Sequence, residues 1–166
     1  MTLLLYFAYG SNMSTPRLVH RVPSAKCVAV ARLEKHQLKF HKRSKDGSAK
    51  CDIEHTNNPN DVVYGVVFEI LAPEKKALDR KEGLWNGYDE KSVAVLTGND
   101  RLLIAVTYYA TDIDASMKLY GWYKEHVLRG AKEHELPVEY IKSIEAVESI
   151  ADPDQKRDEE ELSIYC

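Results

Sequence analysis

The stretch LLLYFAYGSNM, residues 3–13, decides how the rest of this chain is read. From Leu3 to Tyr9 every residue is apolar or aromatic, which predicts a strand buried on both faces. The run stops at Tyr9-Gly10-Ser11-Asn12, where glycine permits positive φ and Ser and Asn can bond their own backbone. A buried strand ending in such a turn leaves backbone N–H groups free to hold an anion. The turn is not a phosphate loop: it has one glycine where a dinucleotide fingerprint needs three, and no Gly-Lys-Ser/Thr follows. A Gly-Ser-Asn taken alone more often joins a strand to a helix and does nothing else. What favours a site is the combination of a parallel-type buried strand, the turn, and a helix start that aims its N–H groups at one spot.

The 166 residues fit one domain with a full core. A hydrophobic share of 44 % and a charged share of 30 % are ordinary for a globular protein. The formal charge of −3 argues against a nucleic-acid partner. His41-Lys42-Arg43 is the one basic cluster, and it runs into the turn-like Ser44-Lys45-Asp46-Gly47. The apolar start is too short for a membrane helix and lacks the basic flank of a signal peptide, so no membrane partner is expected. Cys27, Cys51 and Cys166 are odd in number and lack CxxC spacing, against both a disulfide framework and a zinc site. The cytoplasm is the expected compartment, and Cys27 and Cys51 are read as small strand hydrophobes.

Outward from the opening strand, Ser14-Thr15-Pro16 predicts the cap of a short helix to His20. Strands are expected over 26–33, 36–42, 50–55 and 62–70, the last with Gly65 marking a bulge or close packing. A helix opened by Pro73-Glu74 runs to Glu82, with Gly83 as its left-handed terminator. Residues 90–97 and 101–110 read as a hairpin about Gly98-Asn99-Asp100. Asp114 is expected to cap a long helix from Ala115 to about His134, and Pro137 to restart a last one carrying Tyr140, Ile141, Ile144 and Val147 on one side. The domain then spans 1–151. The acidic tail 152–166, DPDQKRDEEELSIYC, is expected to be frayed or loosely docked. Strands dominate, with one helix inserted and two at the end, which makes the fold α+β with a sheet curling toward a barrel.

Four segments resemble one family. Tyr6-Phe7-Ala8-Tyr9-Gly10-Ser11-Asn12-Met13 closely resembles the [YF]xYGSN signature of the γ-glutamylcyclotransferases. Val62 to Phe68 is similar to their VxGVV strand, Leu78-Asp79-Arg80-Lys81-Glu82-Gly83 to LDxxEG, and Gly130-Ala131-Lys132-Glu133 with Leu136-Pro137-Val138-Glu139-Tyr140 to GAKE…LPxEY. The resemblance implies a small mixed β-barrel flanked by helices. It implies cyclisation of a small-molecule γ-glutamyl substrate to 5-oxoproline, as in glutathione metabolism, with no metal and no organic cofactor. Some relatives are dimers, so a homodimer is open to this chain.

The reaction itself states what it needs. The α-amine must lose a proton and attack its own γ-carbonyl, the leaving nitrogen must gain one, and the developing oxyanion wants fixed N–H donors. The flexible chain must also be bent so that nitrogen and carbonyl carbon meet. Glu82 falls in a last helical turn, where the dipole disfavours negative charge by roughly 0.3–1 kcal/mol, and Trp85 is expected to add burial. A glutamate at a helix end is otherwise a surface residue. Its match to the family's catalytic glutamate makes it the general acid/base, ahead of Asp79 and Glu90. By resemblance Tyr6, Phe7, Ala8, Tyr9, Gly10, Ser11 and Asn12 form the substrate cradle, Tyr123 contacts substrate, and Tyr88 and Tyr108 line the pocket. Tyr88 sits one residue closer to Glu82 than in animal relatives, and Trp85 and Asn86 depart from the family pattern, which leaves the leaving group open. Two alternatives stand beside a cyclotransferase acting on γ-glutamyl-amino acids. One acts on γ-glutamylamines or γ-glutamyl-protected metabolites; the other is a non-catalytic binding protein of the same fold.

Overall fold

A computed structural model describes residues 2–166. The opening apolar run forms strand β1 (Leu3–Ala8). Only its second half is buried on both faces: Leu3 is 51 % exposed, while Tyr6, Phe7 and Ala8 lie in the core. A single 3-10 turn (Ser11–Met13) leads into helix α1 (Thr15–Arg21), with Pro16 in its first turn as the sequence predicts. Ser14 stands at the cap position, but its hydroxyl is taken by Tyr165 Oη at 2.7 Å and makes no capping bond.

The strands β2 (Lys26–Glu34), β3 (His36–Arg43), β4 (Ala49–His55) and β5 (Val62–Leu71) follow. Helix α2 (Lys75–Glu82) separates them from the hairpin β6 (Tyr88–Thr97) and β7 (Leu102–Ala110). Five strands close into a barrel in the order β1-β5-β2-β6-β7. All pair antiparallel except at the seam, where β1 meets β7 in parallel with Tyr6 beside Val106. Hairpin β3–β4 is a separate two-stranded ribbon packed against the barrel. Gly65 marks close packing, as expected: a Cβ there would stand 2.5 Å from the Ala8 carbonyl oxygen and 2.8 Å from the Phe7 ring.

Two expectations fail on the C-terminal side. The long helix begins at Gly121, not Ala115, as α3 (Gly121–Glu133). Asp114 does accept backbone and hydroxyl hydrogen bonds, but both come from Ser116 at 2.9 and 2.6 Å, which fixes a turn instead of a helix. Leu119–Tyr120 then forms a short strand β8, parallel to β9 (Ser149–Ile150), after helix α4 (Val138–Glu145). The acidic tail is neither frayed nor loose. Asp154 caps helix α5 (Gln155–Leu162) by accepting from the Arg157 amide. Asp152 accepts from Trp122 Nε1 at 2.8 Å and from two nitrogens of Arg157 at 2.6 Å each. Charge alone suggested a solvated tail; buried partners on α1 and α3 hold it down.

Candidate active site

The end of β1 delivers the Tyr9–Asn12 turn to one end of the barrel, and α3 presses on it from behind. The fit depends on Gly130, where a Cβ would lie 2.5 Å from the carbonyl carbon and Cβ of Met13 and the amide nitrogen of Ser14. His134 bonds the same turn through Nε2 to Met13 O at 3.0 Å, and Glu133 accepts from the Thr15 amide at 3.1 Å. Within the turn, Met13 N donates to Gly10 O at 3.1 Å and Ser14 N to Ser11 O at 3.2 Å. The amides of Gly10, Ser11 and Asn12 take no part in those bonds. Gly10 itself has φ −117°, so positive φ is not the reason for glycine here.

Opposite the turn stands the C-terminus of α2. Gly83 takes the left-handed conformation at φ +74°, and Gly83 N and Leu84 N donate back to Arg80 O and Asp79 O at 3.3 and 2.9 Å. That stop leaves Glu82 on the last helical residue, its side chain 16 % exposed. Asn12 Nδ2 donates to Glu82 Oε1 at 2.5 Å and to Tyr6 Oη at 3.0 Å, and Arg21 approaches the same carboxylate oxygen at 3.2 Å. Trp85 adds no burial, being 72 % exposed at φ +69°. Asn12, Arg21 and the surrounding tyrosines cover Glu82 instead.

Between turn and carboxylate lies a narrow pocket that opens to solvent. Of the residues expected there, Tyr6, Tyr9, Gly10, Ser11, Asn12 and Glu82 line it, as do Tyr88, Tyr108 and Tyr123 on the far walls. Phe7 and Ala8 do not; both are fully buried in the core, on the side where Gly65 packs. Strand alternation accounts for Phe7, which points to the face opposite Tyr6, while Tyr9 lies beyond the strand's end, in the turn. Tyr123 Oη accepts from the Cys51 amide at 3.0 Å, Tyr88 Oη donates to Cys51 O at 2.6 Å, and Tyr108 Oη donates to Asp79 Oδ1 at 2.5 Å. Burial pushes the phenols of Tyr6, Tyr88, Tyr108 and Tyr123 above their ordinary range; the Glu82 charge adds to each, and the Asp79 hydrogen bond to Tyr108. They therefore line the pocket as neutral hydroxyls.

Sequence reasoning missed three side chains of this site. Cys51 lines the pocket, and burial pushes its thiol up to about 12, so it is a filler and not a nucleophile. Cys27, expected to be a strand hydrophobe, is exposed. Arg17 and Arg21 share a face of α1 four residues apart. Arg17 donates to Ser11 Oγ at 3.2 Å and pairs with Glu161 at 2.7 Å, while Arg21 pairs with Glu82. Their i, i+4 spacing on the helix that follows the turn was a readable signal.

Comparison with known proteins agrees with this fold. A model of the AIG2-like family matches residues 62–144. The chain is 34 % identical over 154 residues to a protein named gamma-glutamylcyclotransferase from Bos taurus, and 33 % identical to one of that name from Homo sapiens, covering 87 % of this chain and 78 % of each relative. A solved structure titled gamma-glutamyl cyclotransferase superposes with a TM-score of 0.86 at 30 % identity, covering 98 % of this chain and 99 % of that one. The barrel is thus that of a shared lineage, and the chain belongs to the gamma-glutamylcyclotransferase family of AIG2-like proteins.

Proposed function

We propose that the pocket folds a γ-glutamyl group back on itself and closes it to 5-oxoproline, releasing the amine or amino acid that the γ-carbonyl carried. One observation supports this above the others: a largely buried carboxylate, Glu82, shares one narrow pocket with the Gly10-Ser11-Asn12 turn and is held there by the Asn12 side chain. Glu82 takes a proton from the α-amine, which attacks the γ-carbonyl carbon. The tetrahedral oxyanion is met by the turn amides and by the hydroxyls of Tyr6 and Tyr123, whose protons are not already given to a backbone or carboxylate oxygen as those of Tyr88 and Tyr108 are. The C–N bond to the leaving nitrogen then breaks as Glu82 returns the proton to it. Asn12 and Arg21 steer one carboxylate oxygen and leave the other to do this work. No step calls for a metal or an organic cofactor. The unpaired state of Cys27, Cys51 and Cys166 supports a reducing compartment, and the cytoplasm is the place we propose. Among the described residues no helix is long and apolar enough to cross a membrane.

The test is release of 5-oxoproline from a panel of γ-glutamyl compounds. Glu82→Gln, which keeps the shape and the Asn12 contact, is expected to lose at least about 10²-fold in kcat, the lower end of what a general acid/base contributes. Undiminished turnover by that variant would show that another group moves the proton. No product from any compound with the wild type would leave a binding protein of this fold.

A further inference from the structure

Outside the pocket, and sharing Ser11, Glu82, Tyr88 and Tyr123 with it, opens a vestibule of about 100 Å³. Its wall is cationic, and most of its charges are spoken for. Arg17 is paired with Glu161, Arg21 with Glu82, and Lys50 with Asp46 at 2.8 Å. Lys42 is different. It is 8 % exposed, yet among the described residues its ammonium makes no hydrogen bond and has no carboxylate within 4.0 Å. Its one close partner is the face of Tyr88, 4.7 Å from the ring centre.

Two backbone features are built around this ammonium. In β3, Phe40 opposes Cys51 and Lys42 opposes Lys50, so His41 is an extra residue, a bulge that turns Lys42 away from the regular ladder. Across from it, Gly87 has φ +112°, and a Cβ there would lie 2.9 Å from Lys42 Cε and 3.0 Å from Nζ. A side chain at position 87 would evict the ammonium. Burial pulls Lys42 below the ordinary lysine range, with Glu82, Asp112 and Asp46 opposing. The stem of Lys42 is buried while its ammonium meets the solvent of the vestibule, and an anion entering there would find a cation with no counter-ion.

We propose that Lys42 is a specificity-determining residue that receives a carboxylate on the leaving part of the substrate. The inference rests on the cyclisation reading above and adds to it the residue that meets the departing end. Ser44 and the exposed Lys81 flank the same vestibule and complete a surface for one small anion. Glu82 lines both spaces, so a substrate reacting at Glu82 carries its departing end into the vestibule.

The experiment compares γ-glutamyl-alanine with γ-glutamyl-ethylamide, which differ by that carboxylate alone. Wild type is expected to favour the first by about ten- to hundredfold in kcat/KM, the worth of one charge-assisted hydrogen bond. Lys42→Met, which keeps the apolar stem, should bring the ratio close to one by lowering kcat/KM for γ-glutamyl-alanine far more than for the ethylamide, and Lys42→Arg should keep most of the preference. In parallel, dissociation constants of both compounds are measured on Glu82→Gln and on Glu82→Gln with Lys42→Met, where no chemistry is required. A preference that disappears only in the Lys42→Met protein supports the contact even if the wild type makes no 5-oxoproline, in which case the cyclisation reading alone falls. Equal losses for both compounds would overturn the proposal and assign Lys42 to the glutamyl end or to packing. A wild type that does not distinguish the compounds in either assay would also overturn it.

Discussion

A Cβ on Gly10 would stand 3.1 Å from the Cβ of Cys51 and 3.3 Å from both Cys51 Sγ and the Tyr123 hydroxyl oxygen. Its φ is not left-handed, so the position asks for glycine through the lack of space for a side chain. A β-branched side chain would push Cys51 and Tyr123 apart and fill the pocket between the turn and Glu82. Gly10→Val is therefore expected to fold and to lose about 10²-fold or more in kcat/KM, the cost of a displacement near 1 Å in a positioned site. Release of 5-oxoproline, read beside a circular-dichroism melt, separates the two effects; wild-type turnover would show that substrate does not approach this turn. At this scale the sequence was most legible where chemistry names a residue. Glu82 and the Gly10–Asn12 turn could be picked from a reaction and a motif. Cys51 could not, because only the ribbon β3–β4 folding over the barrel brings it to the pocket. Phe7 and Ala8 were picked with their neighbours, although strand alternation sends Phe7 to the face opposite Tyr6.

Helix α3 meets the turn through Gly130, and its effect on stability has an informative sign. In a helix interior alanine is ordinarily better than glycine by roughly 1 kcal/mol. At Gly130 the three nearest atoms to a new Cβ would lie at 2.5 Å, two of them in the backbone of Met13 and Ser14, which cannot rotate away. Gly130→Ala should thus destabilise by about 1–3 kcal/mol, the usual cost of overpacking. It should also lower activity, because the turn carrying Ser11 and Asn12 shifts with the helix. Gly121→Ala is the control: at the first residue of α3, its nearest contact would be Ile150 O at 4.0 Å. Urea midpoints of the two variants check this, and a stabilised Gly130→Ala would mean the helix can retreat without loss. Elements bounded by local signals, such as α2 with its Gly83 stop or the β6–β7 hairpin, were readable from short windows. The start of α3 was not. Asp114 carries a genuine cap signal, but Leu119 and Tyr120 give their backbone to Ser149 and Ile150, a pairing no local window contains.

Closure of the whole molecule depends on two long-range joints, and neither is visible in local pattern. One is the parallel seam of Tyr6 with Val106, which turns a curling sheet into a barrel. The other is the clamp of the acidic tail on α1 and α3. There Glu161 binds Arg17 at 2.7 Å, Arg17 reaches Ser11 Oγ, and Tyr165 Oη contacts His126 Nδ1 at 2.6 Å. The tail thereby braces the turn of the active site from outside. Burial pulls the Glu161 carboxyl up, but neighbouring His126 and the Arg17 guanidinium outweigh it and hold the group at about 2, against an ordinary 4.5. A carboxyl lowered by folding contributes stability that is present above its unfolded value and is lost as pH falls from 4.5 toward 2. His126 acts with the same slope at higher pH: burial lowers it from 6.5, so the unfolded chain takes up its proton first and stability begins to fall below that value. Urea midpoints measured from pH 7 downward should therefore decline first below about 6.5 and again below about 4.5. Glu161→Gln should be less stable than wild type at pH 7, should bind substrate less tightly because Arg17 is freed, and should approach the wild-type midpoint near pH 2 as that carboxyl protonates. Curves for the two proteins that stay parallel across this range would mean that solvent screens the Glu161–Arg17 pair too well for it to hold the tail.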